Sequence, residues 1–422
     1  VWVTVMTVTP GTRTAALASG ALFEQVPALT DLDPADPYPA YSRLFGPPVE
    51  VAGGDVVILT RFADCAEMMR HPDVTLRRKD SAAFRGLSSS FLNVLDPPEH
   101  TRIRRLVNKA FSARSVELLR PWLEDQVHLL LDRTAGQQTI DVIESLAYPL
   151  PLFAICELLD IPVADRHAVM GWSRPITFGV DLLAGRRPRE DQVRYRSSLR
   201  QSRLYINELV AQRRRSPGDD LLTRLISTDD AGDRLTEREV TATAIGLLIT
   251  GHETTVSLIG HGAIALAQQP MLRGPVAADE SAADAFVEEI LRYDSPVQAT
   301  LRVAARDLTV GGVDVQAGTA LLLLLGAANR DPEQFADPDR LAVDRPNNRT
   351  HLAFGGGAHF CLGASLGRLE AKIALAALAA RLVNPRARLD GVRYDKSVML
   401  RTQTRLEIDV DGLLPRKAPG SR

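Results

Sequence analysis

The chain has 422 residues, 24% of them charged, and a formal net charge of −2, which excludes a generally basic nucleic-acid binder. Its three cysteines, Cys65, Cys156 and Cys361, have no paired spacing, which argues against a disulfide framework and for a reducing cytoplasm. No uninterrupted apolar run reaches about 18 residues, and the apolar start Val1-Trp2-Val3-Thr4-Val5-Met6 lacks a basic region and a small-residue cleavage site; the expectation is a cytoplasmic protein with neither signal peptide nor membrane anchor.

In chain order, Pro37 to Leu44 suits a short helix, and Val49 to Thr60 reads as a hairpin turning at Gly53-Gly54-Asp55. Arg61 to Arg70 is helical in pattern. From Pro72 to Pro98 the periodicity lapses, leaving Phe84 and Phe91 as isolated aromatics, and a loop this long is usually functional or mobile. Asp96-Pro97-Pro98-Glu99 is a helix-start signal. On the helix it opens, His100 and Arg104 share a face at i, i+4, while Arg102, Arg105 and Lys109 point elsewhere. Amphipathic segments follow over Ser115 to Thr134, Ser145 to Leu159 and Glu190 to Arg215, the last broken by Ser216-Pro217-Gly218-Asp219. No repeat or low-complexity linker divides the chain.

Thr236 to Ala267 is the longest helical candidate, opened by Thr236 and Glu239 in capping-box spacing. It is apolar or small nearly all round, which predicts burial through the protein's middle. Inside it lies Thr250-Gly251-His252-Glu253-Thr254-Thr255, a polar cluster at a depth where polar groups are costly unless partnered. Ala285 to Tyr293 forms another helix, with Glu289 and Arg292 at i, i+3. Strand-like alternations follow at Leu308 to Val310, Val313 to Val315 and Leu321 to Leu325.

After an irregular Pro- and Asp-rich run comes Phe354-Gly355-Gly356-Gly357-Ala358-His359-Phe360-Cys361-Leu362-Gly363, leading into an Ala- and Leu-rich helix from Ala364 to Leu382. This places one sulfur at a helix N-terminus, where the dipole and free N–H groups favour a thiolate. His252-Glu253-Thr254-Thr255-Val256 begins like a zinc-protease motif, but Val256 occupies the second ligand position. Gly363-Ala364-Ser365-Leu366-Gly367 has nucleophile-elbow spacing without the preceding strand. A Cys361–His359 pair lacks a group to orient the histidine. A lone thiolate is best explained by a metal that brings its own equatorial ligands, namely haem. Two propionates would then need cations, for which His100, Arg104, Arg302 and His359 are candidates.

The loop matches the signature F-G-x-G-x-H-x-C-x-G at every specified position and resembles that of the bacterial cytochrome P450 family. Glu289-Ile290-Leu291-Arg292 resembles the family's E-x-x-R, Arg340 looks like the arginine completing its buried triad, and Gly251-His252-Glu253-Thr254 resembles its acid–threonine motif. Thr250 departs from the usual alanine or glycine. The resemblance implies a mainly α fold with small β-sheets, triangular-prism-like, with haem b between the long central helix and the cysteine-side helix. It implies one haem-binding domain over residues 36–412, after a variable segment 1–35 and before a tail 413–422. Cys361 would be the axial thiolate, tuned by N–H groups near Leu362 and Gly363, with Glu253 and Thr254 delivering protons and His100, Arg104, Arg302 and His359 holding the propionates. Phe84, Phe91, Leu92, Ile245, Ile249, Val297, Thr300 and Leu400 would line a pocket for a hydrophobic small molecule, together with the region Ile176 to Leu183. Electrons would come from NAD(P)H through ferredoxin reductase and a ferredoxin docking on Arg102, Arg105, Lys109, Arg114 and Arg368. The expected protein is a monomeric monooxygenase of the kind that tailors secondary metabolites; the alternative is a haem-binding carrier without oxygenase turnover.

Overall fold

The computed structural model describes Leu29 and residues 32–76, 91–177 and 189–416; Phe84 and Leu183 lie outside the described residues. Helix α1 (Tyr38–Leu44) leads into the predicted hairpin, β1 (Val49–Val51) and β2 (Val56–Leu59), then α2 (Phe62–Met68) and β3 (Val74–Thr75). Next come α3 (Glu99–Ala110), α4 (Arg120–Asp132), β4 (Thr139–Asp141), α5 (Pro149–Leu158), α6 (Arg166–Thr177), α7 (Arg189–Arg215) and α8 (Leu221–Ser227). A small hairpin of β5 (Asp229–Asp230) and β6 (Asp233–Arg234) precedes the central helices α9 (Glu237–Thr250) and α10 (Glu253–Gln268). The chain continues through α11 (Arg273–Ala278), α12 (Glu280–Tyr293), β7 (Ala299–Ala304), the hairpin β8 (Leu308–Val310) and β9 (Val313–Val315), β10 (Ala320–Leu324) and α13 (Ala364–Arg381).

The main sheet has the order β1-β2-β10-β7-β3, with β10 parallel to β2 and antiparallel to β7. Strands β2 and β10 are buried throughout, so their side chains serve two cores. Val56, Ile58, Leu322 and Leu324 join Tyr41 on one face, while Val57, Leu59, Leu321 and Leu323 join Met68 and Leu325 on the other. A continuous apolar run is what a strand covered on both sides requires. Strand β7 has no counterpart among the predicted strands, because Arg302 and the two threonine-and-alanine positions before it dilute its apolar pattern.

The predicted central helix is real but divided. Its start is held by a reciprocal capping box: the Thr236 hydroxyl accepts from the Glu239 N–H at 3.3 Å, and Glu239 Oε2 accepts from the Thr236 N–H at 2.8 Å. The regular helix then ends at Thr250 and resumes at Glu253, with Gly251 and His252 between them still in the right-handed helical region but distorted. Past the break, Gly262 lets α13 approach closely, since a Cβ there would sit 2.6 Å from Leu375. Taken together, Glu237–Gln268 is long and apolar enough to cross a membrane by length and composition, yet 67% of its apolar window is buried inside the protein; it is the core stretch around which α5, α7, α12 and α13 assemble. The stretch from Gln268 to Asp284 holds a short 3-10 turn at Pro270–Leu272, then α11 and the start of α12.

Candidate active site

The cysteine loop is a closed turn. The Cys361 N–H donates to the Phe354 carbonyl at 2.9 Å and the Phe360 N–H to the Gly357 carbonyl at 3.2 Å. Gly357 has a φ of +64° and lies so close to the Met69 backbone that a Cβ would meet its carbonyl oxygen at 2.4 Å, so both conformation and contact demand glycine. Cys361 is exposed at the loop surface. The protein mass around it nevertheless pushes its thiol pKa up; the Gly363 N–H, Arg104 and Arg368 pull it partway back. The helix end alone therefore does not outweigh burial, and a bound metal would favour loss of the proton.

Around the loop sits a cluster of bases that form no ion pair among the described residues, although the charge of Asp96 reaches His100, Arg302 and His359. His100 is buried, and neither ring nitrogen has a hydrogen-bond partner; its ring centroid is 4.1 Å from that of His359. Arg104 reaches the Phe360 carbonyl at 2.7 Å and Asn108 Oδ1 at 3.2 Å. Arg302 is 8% exposed, bonds Thr300 Oγ1 and the Leu301 carbonyl among the described residues, and burial drops its pKa to about 10. Burial, with His100 and Arg302 adding to it, drops His359 to about 4. Among the described residues none of these four makes an ion pair, an arrangement costly unless anionic groups arrive. A flat group with a metal for Cys361 and two carboxylates for this cluster fits the residues present.

Behind the loop lies a clamp. Glu289 and Arg292, both fully buried, form a bidentate ion pair in which Arg292 Nε donates to Oε2 at 2.9 Å and Nη2 to Oε1 at 2.8 Å. The third member is Arg345, whose Nε lies 3.3 Å from Glu289 Oε1, and not Arg340 as the sequence pattern implied. Arg340 is exposed and contributes only its carbonyl, which accepts from Arg292 at 3.2 Å and Arg345 at 3.0 Å. The two arginines are five apart in an irregular run, and only the turn geometry places the later one inward. Sequence reasoning also missed Glu288. Burial alone would raise its pKa, but His351 Nε2 at 3.1 Å and Arg368 Nη2 at 3.1 Å hold it down at about 2. Arg368 in turn lies 4.4 Å over the Phe354 ring, tying α12 to the first residue of the loop. Two adjacent acids in an amphipathic helix were the available signal.

On the opposite side, Glu253 is buried and Thr254 half-buried at the start of α10. The Thr250 hydroxyl donates back to the Gly246 carbonyl at 2.8 Å, so this departure from the family pattern satisfies its own helix. Phe91 and Leu92 are buried, with the Phe91 ring against Gly246, near Ile245 and the half-buried Ile249 of the same helix. Val297 and Leu400 form a β-bridge, and the Thr300 hydroxyl is occupied by Arg302. Ile176 is buried. The expected basic docking face is largely neutralised: Arg102 and Arg105 pair with Asp233 at 3.0 and 3.1 Å, Lys109 and Arg105 with Asp230, and Arg368 with Glu288. The acidic turn of β5 and β6 cancels what looked like a free patch, leaving Arg114 exposed.

Residues 282–382 match the family described as Cytochrome P450. The chain is 38% identical over 409 residues to cytochrome P450 107B1 of Saccharopolyspora erythraea, covering 91% of this chain and 98% of that protein. It is 41% identical over 322 residues to 6-deoxyerythronolide B hydroxylase of the same organism, covering 75% and 77%. The ligand-free crystal structure of CYP164A2 from Mycobacterium smegmatis superposes with a TM-score of 0.82 at 40% identity, covering 93% of this chain and all of that one. The chain belongs to the cytochrome P450 family, and is a haem b-dependent monooxygenase drawing NAD(P)H electrons through a ferredoxin and its reductase.

Proposed function

We propose that this enzyme, as a single domain over residues 36–412, oxidises a bulky hydrophobic small molecule in a tailoring step, with Cys361 as the residue that would hold the haem iron. The observation that carries the reading is the exposed Cys361 beside His100, Arg104, Arg302 and His359, which make no ion pair among the described residues. A haem held here by Cys361 would supply the activation of dioxygen, which electron donation from a thiolate favours. The protein's part is to hold and supply. Cys361 provides the thiolate, which the Gly363 N–H stabilises. His100, Arg104, Arg302 and His359 neutralise the propionates. Glu253 passes a proton to Thr254, whose hydroxyl hands one on across the helix break. Phe91, Ile245, Ile249, Val297 and Leu400 present an apolar wall that excludes water and suits a hydrophobic substrate. A relative that hydroxylates 6-deoxyerythronolide B supports a substrate of that general size and polarity. Type I spectral shifts across a library of macrolide, terpenoid and steroid compounds test the class; shifts confined to small polar compounds would overturn it.

Thr254→Ala is expected to keep the fold, because the side chain is only half-buried, while hydrogen peroxide released per NAD(P)H rises several-fold and product falls. An unchanged partition would remove the threonine from proton handling.

The ferredoxin meets the cysteine-side face around Phe360, which is 43% exposed, and the exposed Arg114. Arg114→Glu is expected to slow reduction by ferredoxin several-fold, and more at low salt than at high. Arg105→Glu is expected to do so less, because Asp230 and Asp233 already cancel that charge. Stopped-flow reduction rates for the two variants decide between them; equal effects would return the docking face to α3.

A further inference from the structure

The break between α9 and α10 buries a titratable side chain to which the mechanism above gives no role. His252 is 0% exposed, and its Nδ1 lies 2.8 Å from the Leu248 carbonyl. A carbonyl only accepts, so Nδ1 carries the hydrogen and the neutral ring presents a lone pair at Nε2. That Nε2 is enclosed, has no hydrogen-bond partner among the described residues, and stands 3.5 Å from Glu253 Oε2. Among the described residues, the other groups facing the ring do not hydrogen-bond to its Nε2. Tyr148, at the head of α5, meets it edge-on with centroids 5.6 Å apart, and its hydroxyl lies 3.4 Å from that of Ser173. From α6, the exposed Arg174 lies 5.0 Å over the Tyr148 ring. Burial, with Arg174 adding to it and the Leu248 bond opposing it, brings His252 down to about 4, so the ring stays neutral near pH 7.

Two lone pairs facing each other in an enclosed space repel, whereas one proton on the carboxyl turns them into a donor and an acceptor. Separations of this kind also tighten in the working complex. We propose that His252 is a positioning residue for Glu253: its Nε2 accepts the carboxylic acid proton and holds the acid loaded, in one orientation, until that proton passes to Thr254. This rests on the reading of Glu253 as the proton carrier. In the step, the Glu253 O–H bond breaks as a proton joins the Thr254 hydroxyl oxygen, which releases its own proton toward the haem side. The carboxylate left behind takes a proton from solvent, and the bond to Nε2 re-forms. No electron moves, and His252 remains neutral throughout.

The sign of the pH effect follows. A hydrogen bond to the neutral acid favours its protonated form, so losing the acceptor lets Glu253 ionise at lower pH. In His252→Phe, the alkaline limb of product formed per oxygen consumed is expected to move acidward by about one pH unit. His252→Gln, whose amide oxygen can accept, is expected to stay near the wild-type limb. The companion measurement, independent of turnover, is the infrared carboxylic-acid C=O stretch in the holoenzyme: present in wild type, absent in Glu253→Gln, and lost or shifted upward in His252→Phe. An unmoved limb and an unmoved band in His252→Phe would overturn the role of His252. If Glu253→Gln itself left coupling unchanged, the proton-carrier reading would fail instead, so the two failures are distinguishable. Any His252 variant counts only if it retains the wild-type ferrous–carbonyl spectrum; His252→Gln supplies the test should the phenylalanine not fold.

Discussion

Cys361→Ser is expected to give a folded protein whose reduced carbon monoxide complex lacks the red-shifted Soret band of a thiolate ligand, with monooxygenase activity at background. The fold should survive because the side chain itself is exposed, and the loop is closed by backbone bonds from Cys361 and Phe360 that serine leaves in place. The chemistry should not survive. A serine hydroxyl is far harder to deprotonate than a thiol and donates less electron density to iron. Burial already works against the anion at this position, and the Gly363 N–H and two arginines only partly compensate. A retained band would remove Cys361 from the iron.

The clamp should give the largest effect on stability. Arg292→Met would leave Glu289 buried with only Arg345 and the Ala342 N–H to answer its charge. Breaking one partner of a buried pair costs about 3–5 kcal/mol, against a total stability of roughly 5–15 kcal/mol for a typical domain. It also frees the Asn329, Pro338 and Arg340 carbonyls that Arg292 bridges. The expected outcome is a mostly insoluble, haem-poor protein, measured by soluble yield and haem content. Arg345→Leu should approach it in severity. Arg340→Ala should be near neutral, since only its carbonyl takes part; if Arg340→Ala were the damaging change, Arg345 would not be the third member.

The elements most legible in the sequence were those whose signals are local. The Thr236–Glu239 capping box, the Gly53–Asp55 turn and the cysteine loop all rest on residues within a few positions of one another, and each forms as read. What escaped was set by the tertiary arrangement. Arg340 and Arg345 look alike in an irregular run, and only the path of the chain from Ala336 to Ala342 decides which reaches Glu289. The basic face of α3 was misread because its partners lie more than a hundred residues later, on β5 and β6. Strand β7 was missed because β10 and β3 flank it, while its own sequence carries a buried arginine for the site. The break in the central helix has no local signal of its own, since Gly251 alone does not say where a helix stops.

The clamp also fixes an order of events. Glu289 and Arg345 are 56 positions apart, and between them the chain must lay down β7, the β8–β9 hairpin and β10 before the two can meet. Closing so long a segment is entropically costly until its own contacts exist. The cysteine loop lies just beyond that closure, so it is expected to stiffen late in assembly, and haem uptake by a refolding chain should follow closure of the clamp.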